Sequence, residues 1–343
     1  MLWMLVIGAL LAVSLRWRMA PIAALALFLA GVELRIAHLG SSLSSDVLSV
    51  TRAATETMLA GGNPYGIGYD VSLPPGAPYP YGPLGLLWYL PTLAEPRVME
   101  LLAAVVVLGL LAIRGRLLGL AIYACAPVAL SVTIDGSNDT SAGLLILVAL
   151  VTIDRLPHAS ALMLGVAIAF KPYALAWAPP LVAYLGLSAL LPLVVGAGVF
   201  WIPAIVMWGI GNVVESVRLA DRVHDTPYYS LGMAVQRLGI AYGREELNLL
   251  RFLVGGVTAL AVMFMARTSG AVIVGGILIF VATLFTGYWG AYTYFAAIAP
   301  LICWHLDDWL GRSESRARWP FEPWSAAGRR RFGARPTASP PAT

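Results

Sequence analysis

One carboxylate stands where an apolar stretch gives way to a polar loop. Asp46 ends the run Gly40-Ser41-Ser42-Leu43-Ser44-Ser45-Asp46, just past the apolar stretch 18–38. A carboxylate at such an edge can take a proton from an attacking hydroxyl as a general base. The same residues also read as a helix start, with Ser44, Ser45 or Asp46 capping a helix over 47–59. Asn63 and Tyr65 follow in Gly61-Gly62-Asn63-Pro64-Tyr65, a helix stop and turn that could also present an amide and a phenol to a substrate. Tyr81 lies in the aromatic, proline-rich segment APYPYGPLGLLWYL, residues 77–90. That composition fits a membrane-interface belt, a stacking wall for a sugar or a groove for a lipid tail.

Three further groups could handle a polar ligand. Asn138 and Asp139 sit in the short acidic loop 134–140, where they could bond sugar hydroxyls or serve as a turn and a helix cap. Lys171 is the only lysine among 22 basic residues and falls at a break between two apolar segments. A half-buried cation there suits a phosphate, or else snorkels at a helix end. Arg218, Arg222 and His224 stand close together with Tyr228 and Tyr229, a set that suits an anionic head group. Arg218 and Arg222 also share one face of an exposed amphipathic helix. Glu33 and Arg35 are two residues apart and so do not face each other on a helix; each needs another partner.

The elements that must hold these groups follow from composition. The chain has 343 residues, 59% of them hydrophobic and 12% charged, with a mean hydropathy of +0.79. Soluble domains carry about 25% charged residues, so this is a polytopic membrane protein, and long unalternated runs make it all-α rather than a barrel. Apolar runs near 1–15, 18–38, 99–113, 118–134, 141–154, 157–170, 173–187, 188–207, 250–266, 271–288 and 291–306 predict about 11 spans, with 10–12 allowed. Residues 83–94 are half a span and read as re-entrant or interfacial. Short-loop arginines at 16, 18, 114, 116, 155 and 267, with the Arg-rich tail, all fall on one side, which the positive-inside rule makes cytoplasmic. The long loops 39–98 and 208–249 are then on the outer face of one membrane domain, residues 1–306. The tail 307–343 reads as basic, disordered cytoplasmic sequence.

Other chemistries lack their motifs. There is no GxxxxGK[ST] phosphate loop, no convincing GxSxG elbow and no HExxH or CxxC. Cys125 and Cys303 lie in apolar runs and read as small core residues. Glu245-Glu246 reads as the opening of the next helix. Nothing beside Asp46 calls for a metal, and no cofactor is indicated.

In order and spacing these pieces resemble the GT-C superfamily of membrane glycosyltransferases, most closely glycosyltransferase family 87, the polyprenol-phosphate-mannose-dependent mannosyltransferases. The resemblance rests on Asp46, Gly61-Gly62-Asn63-Pro64-Tyr65, Tyr79-Pro80-Tyr81-Gly82-Pro83, Asn138-Asp139, Lys171-Pro172-Tyr173 and Ser230-Leu231, and covers roughly residues 30–300. It implies a GT-C-like bundle in a bacterial plasma membrane. It also implies transfer of mannose, or another hexose or pentose, from a polyprenyl-phosphate sugar to a glycolipid or cell-envelope glycan on the outer face. Asp46 would be the base, Lys171 with Arg218 and Arg222 would steady the donor phosphate, and Asn63, Tyr65, Tyr81, Asn138, Asp139 and His224 would line the sugar and acceptor sites. A transporter or lipid flippase, with Glu33, Arg35 and Lys171 lining a path, is the alternative.

Overall fold

The computed structural model describes residue 8 and residues 19–40, 45–73, 75–223, 227–240 and 243–310. His224, the first apolar run and the tail beyond 310 lie outside the described residues. The helices in chain order are α1 (Ala20–His38), α2 (Asp46–Leu59), α3 (Pro83–Trp88), α4 (Arg97–Ile113), α5 (Leu117–Cys125), α6 (Pro127–Asp135), α7 (Asp139–Val151) and α8 (Pro157–Phe170). They continue as α9 (Ala178–Leu185), α10 (Leu190–Trp208), α11 (Ile210–Val223), α12 (Leu231–Arg237), α13 (Arg244–Met265), α14 (Ser269–Phe285) and α15 (Tyr294–Trp309). Single 3-10 turns at Leu90–Thr92, Pro172–Trp177 and Leu187–Ala189 join some of them. Of the described residues 77% are helical. The sheet among them is one antiparallel pair, β1 (Gly68–Tyr69) and β2 (Ala77–Pro78), with Gly68 opposite Pro78.

Among the described residues three helices, α1, Leu187–Trp208 and α13, are each long and apolar enough to cross a membrane, and up to five crossings result if each bent pair counts as one. This is a membrane protein of helices, with fewer full-length spans than the eleven apolar runs predict. The physical reason is breakage. The run 118–134 is two helices bent by 54° at Ala126-Pro127, because Pro127 cannot donate to the α5 ladder. The half-span 83–94 turns by 97° into α4. The run 173–187 is a 3-10 segment followed by α9, and the stretch 208–249, read from sequence as a loop, holds α11, α12 and the first turn of α13.

Small residues let the short helices approach. A Cβ on Gly196 of α10 would run into the Leu162 carbonyl of α8, and one on Gly165 of α8 into that of Leu193. Such backbone contact is the usual means of association where solvent gives no hydrophobic drive. At the end of the bundle away from Asp46, the turns tie together. Arg116 pairs with Asp308 at 2.5 Å, and Asp307 accepts from the Leu118 and Gly119 amides at the start of α5. Asp154 accepts from Tyr184 and Ser269 at 2.9 and 2.8 Å.

Arg35 finds its partner in the α5–α6 break. Fully buried on α1, it donates to the carbonyls of Tyr123 and Ala124 at 2.9 and 3.2 Å, and its guanidinium lies 5.1 Å from the Tyr123 ring centroid. Those carbonyls end α5, where a cation also meets the negative pole of the helix. Glu33, by contrast, is exposed. Arg35→Met leaves two buried carbonyls without a donor. We expect a loss of about 1–3 kcal/mol per orphaned group, read as a lower melting temperature of the detergent-purified protein, whereas Glu33→Gln leaves melting unchanged.

Candidate functional site

The polar end is built where helices begin and stop. Ser45 caps α2, its side chain accepting from the Leu48 amide at 3.3 Å. Asp46 is the first helical residue, half-buried, with Oδ1 accepting from the Val47 amide at 2.9 Å and Oδ2 without a hydrogen-bond partner among the described residues. The helix-start reading of Ser45 and Asp46 holds, and it leaves the Asp46 carboxylate half-buried. The Ser45 amide donates to the Asp135 carbonyl at 3.0 Å, which clamps the start of α2 to the loop after α6. That loop turns through Gly136, φ +82°, where a Cβ would strike Leu48 and Arg97.

Asn138 caps α7 by position and Asp139 opens it, both almost completely buried. Lys171 closes α8, 3% exposed. Its ammonium donates to Asp139 at 2.5 Å and to Asn138 Oδ1 at 2.6 Å, and the Tyr173 hydroxyl donates to the same Asp139 oxygen at 2.7 Å. The rings of Tyr81, Tyr173 and Tyr294 surround the ammonium at 5.0, 5.0 and 5.7 Å. Both charges sit at favourable helix poles, the acid at an N-terminus and the amine at a C-terminus. Because an ammonium only donates, Asn138 must turn its oxygen to Lys171. Its Nδ2 is then left buried with no acceptor among the described residues.

The segment carrying Tyr81 is held from both sides. The Tyr65 hydroxyl donates to the Tyr81 carbonyl at 3.1 Å, and the Gly82 amide donates to the Phe170 carbonyl at the end of α8 at 3.1 Å. Gly82 is required there, since a Cβ would overlap the Ala169 carbonyl. Burial, then Tyr294, Asp46 and Asp139, push the Tyr81 phenol well above its ordinary range. That sets Tyr81 among both carboxylates and keeps it protonated. Tyr65 is itself buried, its phenol pushed up by desolvation and by Tyr69. Asn63 accepts from the Tyr65 amide at 2.9 Å and donates to the Trp208 carbonyl at 3.3 Å. Asn63 and Tyr65 therefore shape the loop and hold Tyr81.

Asp46, Tyr81, Asn138, Asp139 and Lys171 come together; Arg218 and Arg222 do not join them. Both are exposed on α11, and Arg218 pairs loosely with Glu215 at 3.8 Å. The amphipathic-face reading of these two is the one their positions fit. Lys171, read from sequence as a hand for phosphate, is instead engaged with Asp139 and Asn138.

Three groups escaped the sequence reading. Glu100, fully buried at the start of α4, accepts from the Tyr89 hydroxyl at 2.5 Å, the Ser141 hydroxyl at 2.5 Å and the Ser141 amide at 3.0 Å. It fastens α4 to the first turn of α7. Tyr294 closes the cage around Lys171 from α15. Arg251 of α13 donates to the Trp289 carbonyl. Glu100 and Arg251 each stand at the border of an apolar run, where a charge resembles an ordinary end residue. Among the described residues no three His, Cys, Asp or Glu side chains come together as a metal set.

No family model matches the chain, and searches of curated proteins and of solved structures find no match.

Removing Lys171 strands a buried carboxylate. We expect Lys171→Met to lower stability by about 3–5 kcal/mol, and the double variant Lys171→Met with Asp139→Asn to regain part of it. Thermal unfolding of the purified variants measures both. Additive losses would show that the two charges are not coupled.

Proposed function

We propose that this chain is an inverting glycosyltransferase of GT-C type, moving a sugar from a polyprenyl-phosphate carrier to an acceptor hydroxyl at the outer face of a bacterial plasma membrane. The observation that carries the reading is the junction of Asp46 with the 135–139 loop, through the Ser45–Asp135 hydrogen bond. It sets a half-buried carboxylate, one oxygen of which has no hydrogen-bond partner among the described residues, beside a fixed polar cluster at one end of an apolar bundle.

In the proposed reaction Asp46 takes the acceptor proton as the acceptor oxygen bonds to the anomeric carbon. The bond from that carbon to the phosphate oxygen breaks, and the electron pair leaves on the phosphate. Attack opposite the leaving group inverts the centre. The unpaired Asn138 amide supports a role in holding a sugar hydroxyl, since a buried N–H without acceptor is unfavourable by about 1–3 kcal/mol until something accepts from it. Tyr81 offers a ring face to the same sugar. Lys171 acts here as the counter-ion that fixes Asp139 and Asn138. His224 stays a sequence-based candidate for the acceptor side. The proposed chemistry uses no metal or cofactor.

An apolar groove supports a lipid-linked donor. It has a volume of about 220 Å³ and runs between the α5–α6 break and α15, lined by Ile122, Ala126, Phe295, Ile298 and Ile302 among others. Phe295 directly follows Tyr294 of the polar cluster. A polyprenyl chain in the groove leaves its head group near the site.

The membrane arrangement is part of the proposal. Shorter apolar helices such as α7, α8 and α14 also cross, which with the bent pairs, α9, α15 and the first apolar run makes about 11 spans. The arginine-bearing turns then face the cytoplasm. The transport reading has less support: Arg35 is engaged by carbonyls and Glu33 is exposed, so they share no path with Lys171.

The test uses membranes containing the full chain, radiolabelled polyprenyl-phosphate mannose and glycolipid acceptors. Asp46→Asn should reduce transfer by a factor of about 100 or more at normal expression. Unchanged transfer removes Asp46 as the base, and substrate movement without a covalent product removes the transferase.

A further inference from the structure

A phosphate diester carries a single negative charge, and a monoester about −1.5 to −2 at neutral pH; the Lys171–Asp139 pair has no net charge to set against either. The cation that does is Arg251. It lies seven residues into α13, about 10 Å along a helix long and apolar enough to cross a membrane. An ionisable group at that depth needs a partner, and Arg251 has no carboxylate within ion-pair distance among the described residues. Among the described residues its one hydrogen bond goes to the Trp289 carbonyl, and its buried Nε has no acceptor.

The surroundings form a cradle. Gly287 packs directly against the guanidinium, and a Cβ there would displace Nε, Nη2 and Cζ, so the absence of a side chain at 287 fixes where the fork lies. One turn outward, Asn248 accepts from the Tyr288 amide at 3.4 Å, and Arg244 lies 4.6 Å from the Tyr288 ring centroid. The 286–290 loop is thereby fastened along one face of α13. It is closed above by Ser230, whose hydroxyl donates to the Tyr288 carbonyl at 2.6 Å. The cradle adjoins the candidate site through two rings: Trp289 lies 6.2 Å from Tyr294, which in turn lies 5.7 Å from Lys171 Nζ.

We propose that Arg251 is the phosphate-binding cation of this site, receiving a phosphate monoester or diester against the Gly287–Trp289 backbone, while Lys171 remains the internal counter-ion of Asp139. A guanidinium fork matches phosphate geometry and stays charged when desolvated. The assignment rests on reading this end as the donor site, and it moves the phosphate from Lys171, Arg218 and Arg222 to a residue on another helix.

The test is direct binding of decaprenyl monophosphate to the full-length protein in detergent, with decaprenol and inorganic phosphate as separate arms. The wild type should bind decaprenyl phosphate and prefer it to decaprenol. Arg251→Met should weaken binding about tenfold or more, with Arg251→Lys between the two. Gly287→Ala keeps the charge but displaces the guanidinium from its place, and should also weaken binding if Arg251→Met fails to fold. Displacement by inorganic phosphate shows that the phosphate group alone is held; Arg251-dependent binding without displacement assigns a lipid-borne ester. Binding by Arg251→Met and Gly287→Ala within about twofold of wild type, or equal binding of decaprenol, overturns the proposal. If Arg251-dependent binding persists in a protein that transfers no sugar, the transferase reading falls and the phosphate site stands.

Discussion

An ammonium and a carboxylate held out of water each lose several kcal/mol of solvation, and only close contact with further hydrogen bonds recovers it. Lys171 and Asp139 meet that condition at 2.5 Å, with Asn138 and Tyr173 supplying the extra bonds. The rest of the polar end follows. Fixing the amine to the acid fixes the end of α8 to the start of α7. The end of α8 then presents the Phe170 carbonyl to Gly82 and so seats Tyr81. The start of α7 presents Ser141 to Glu100 and so seats α4. Three helices and one loop are located by a single pair.

The same logic explains where polar groups are tolerated. In an apolar bundle an unbroken helix offers no backbone partner, because every amide and carbonyl is already paired. A break offers several. Arg35 settles on the carbonyls freed where Pro127 interrupts the α5–α6 run. Asp307 settles on the amides that open α5, and Lys171 and Asp139 sit at a helix end and a helix start. Arg251 is the departure: it lies inside α13 and reaches a carbonyl only by borrowing one from the 286–290 loop. Its buried Nε is what remains unpaired.

Signals local to one segment were readable from sequence. Ser45-Asp46 starts a helix, Gly61-Gly62-Asn63-Pro64 stops it, Glu245-Glu246 falls in the first turn of the next, and residues 83–94 are a half-length turn into α4. The break before Lys171 was visible in Lys171-Pro172. What one strand of sequence could not carry was the facing of distant segments. Arg218 and Arg222 share a helical face by spacing, but spacing is silent on whether that face meets the site or solvent. Glu100 and Arg251 look like the ordinary charges that bound apolar runs, and only the packing of α7 against one and the 286–290 loop against the other separates them from that background. Tyr294 was one aromatic among many until α15 brought it over Lys171.

Helix length then sets the depth at which this cluster works. α7 has 13 residues and α8 has 14, so each is about 20 Å long, against a hydrocarbon core of about 30 Å. Helices that short cannot carry both ends to the headgroups of an unthinned bilayer. The charged ends of α7 and α8 are covered by protein, with the rings of Tyr81, Tyr173 and Tyr294 around Lys171. The apolar groove between the α5–α6 break and α15 is lined by Phe295, the residue after Tyr294 of the cluster. Under the proposed function, a water-soluble anion would have to shed its hydration to reach the cluster, whereas a lipid-borne phosphate would start within the bilayer with its chain beside the groove. The short helices, the buried charges and the apolar groove are consistent with that proposal.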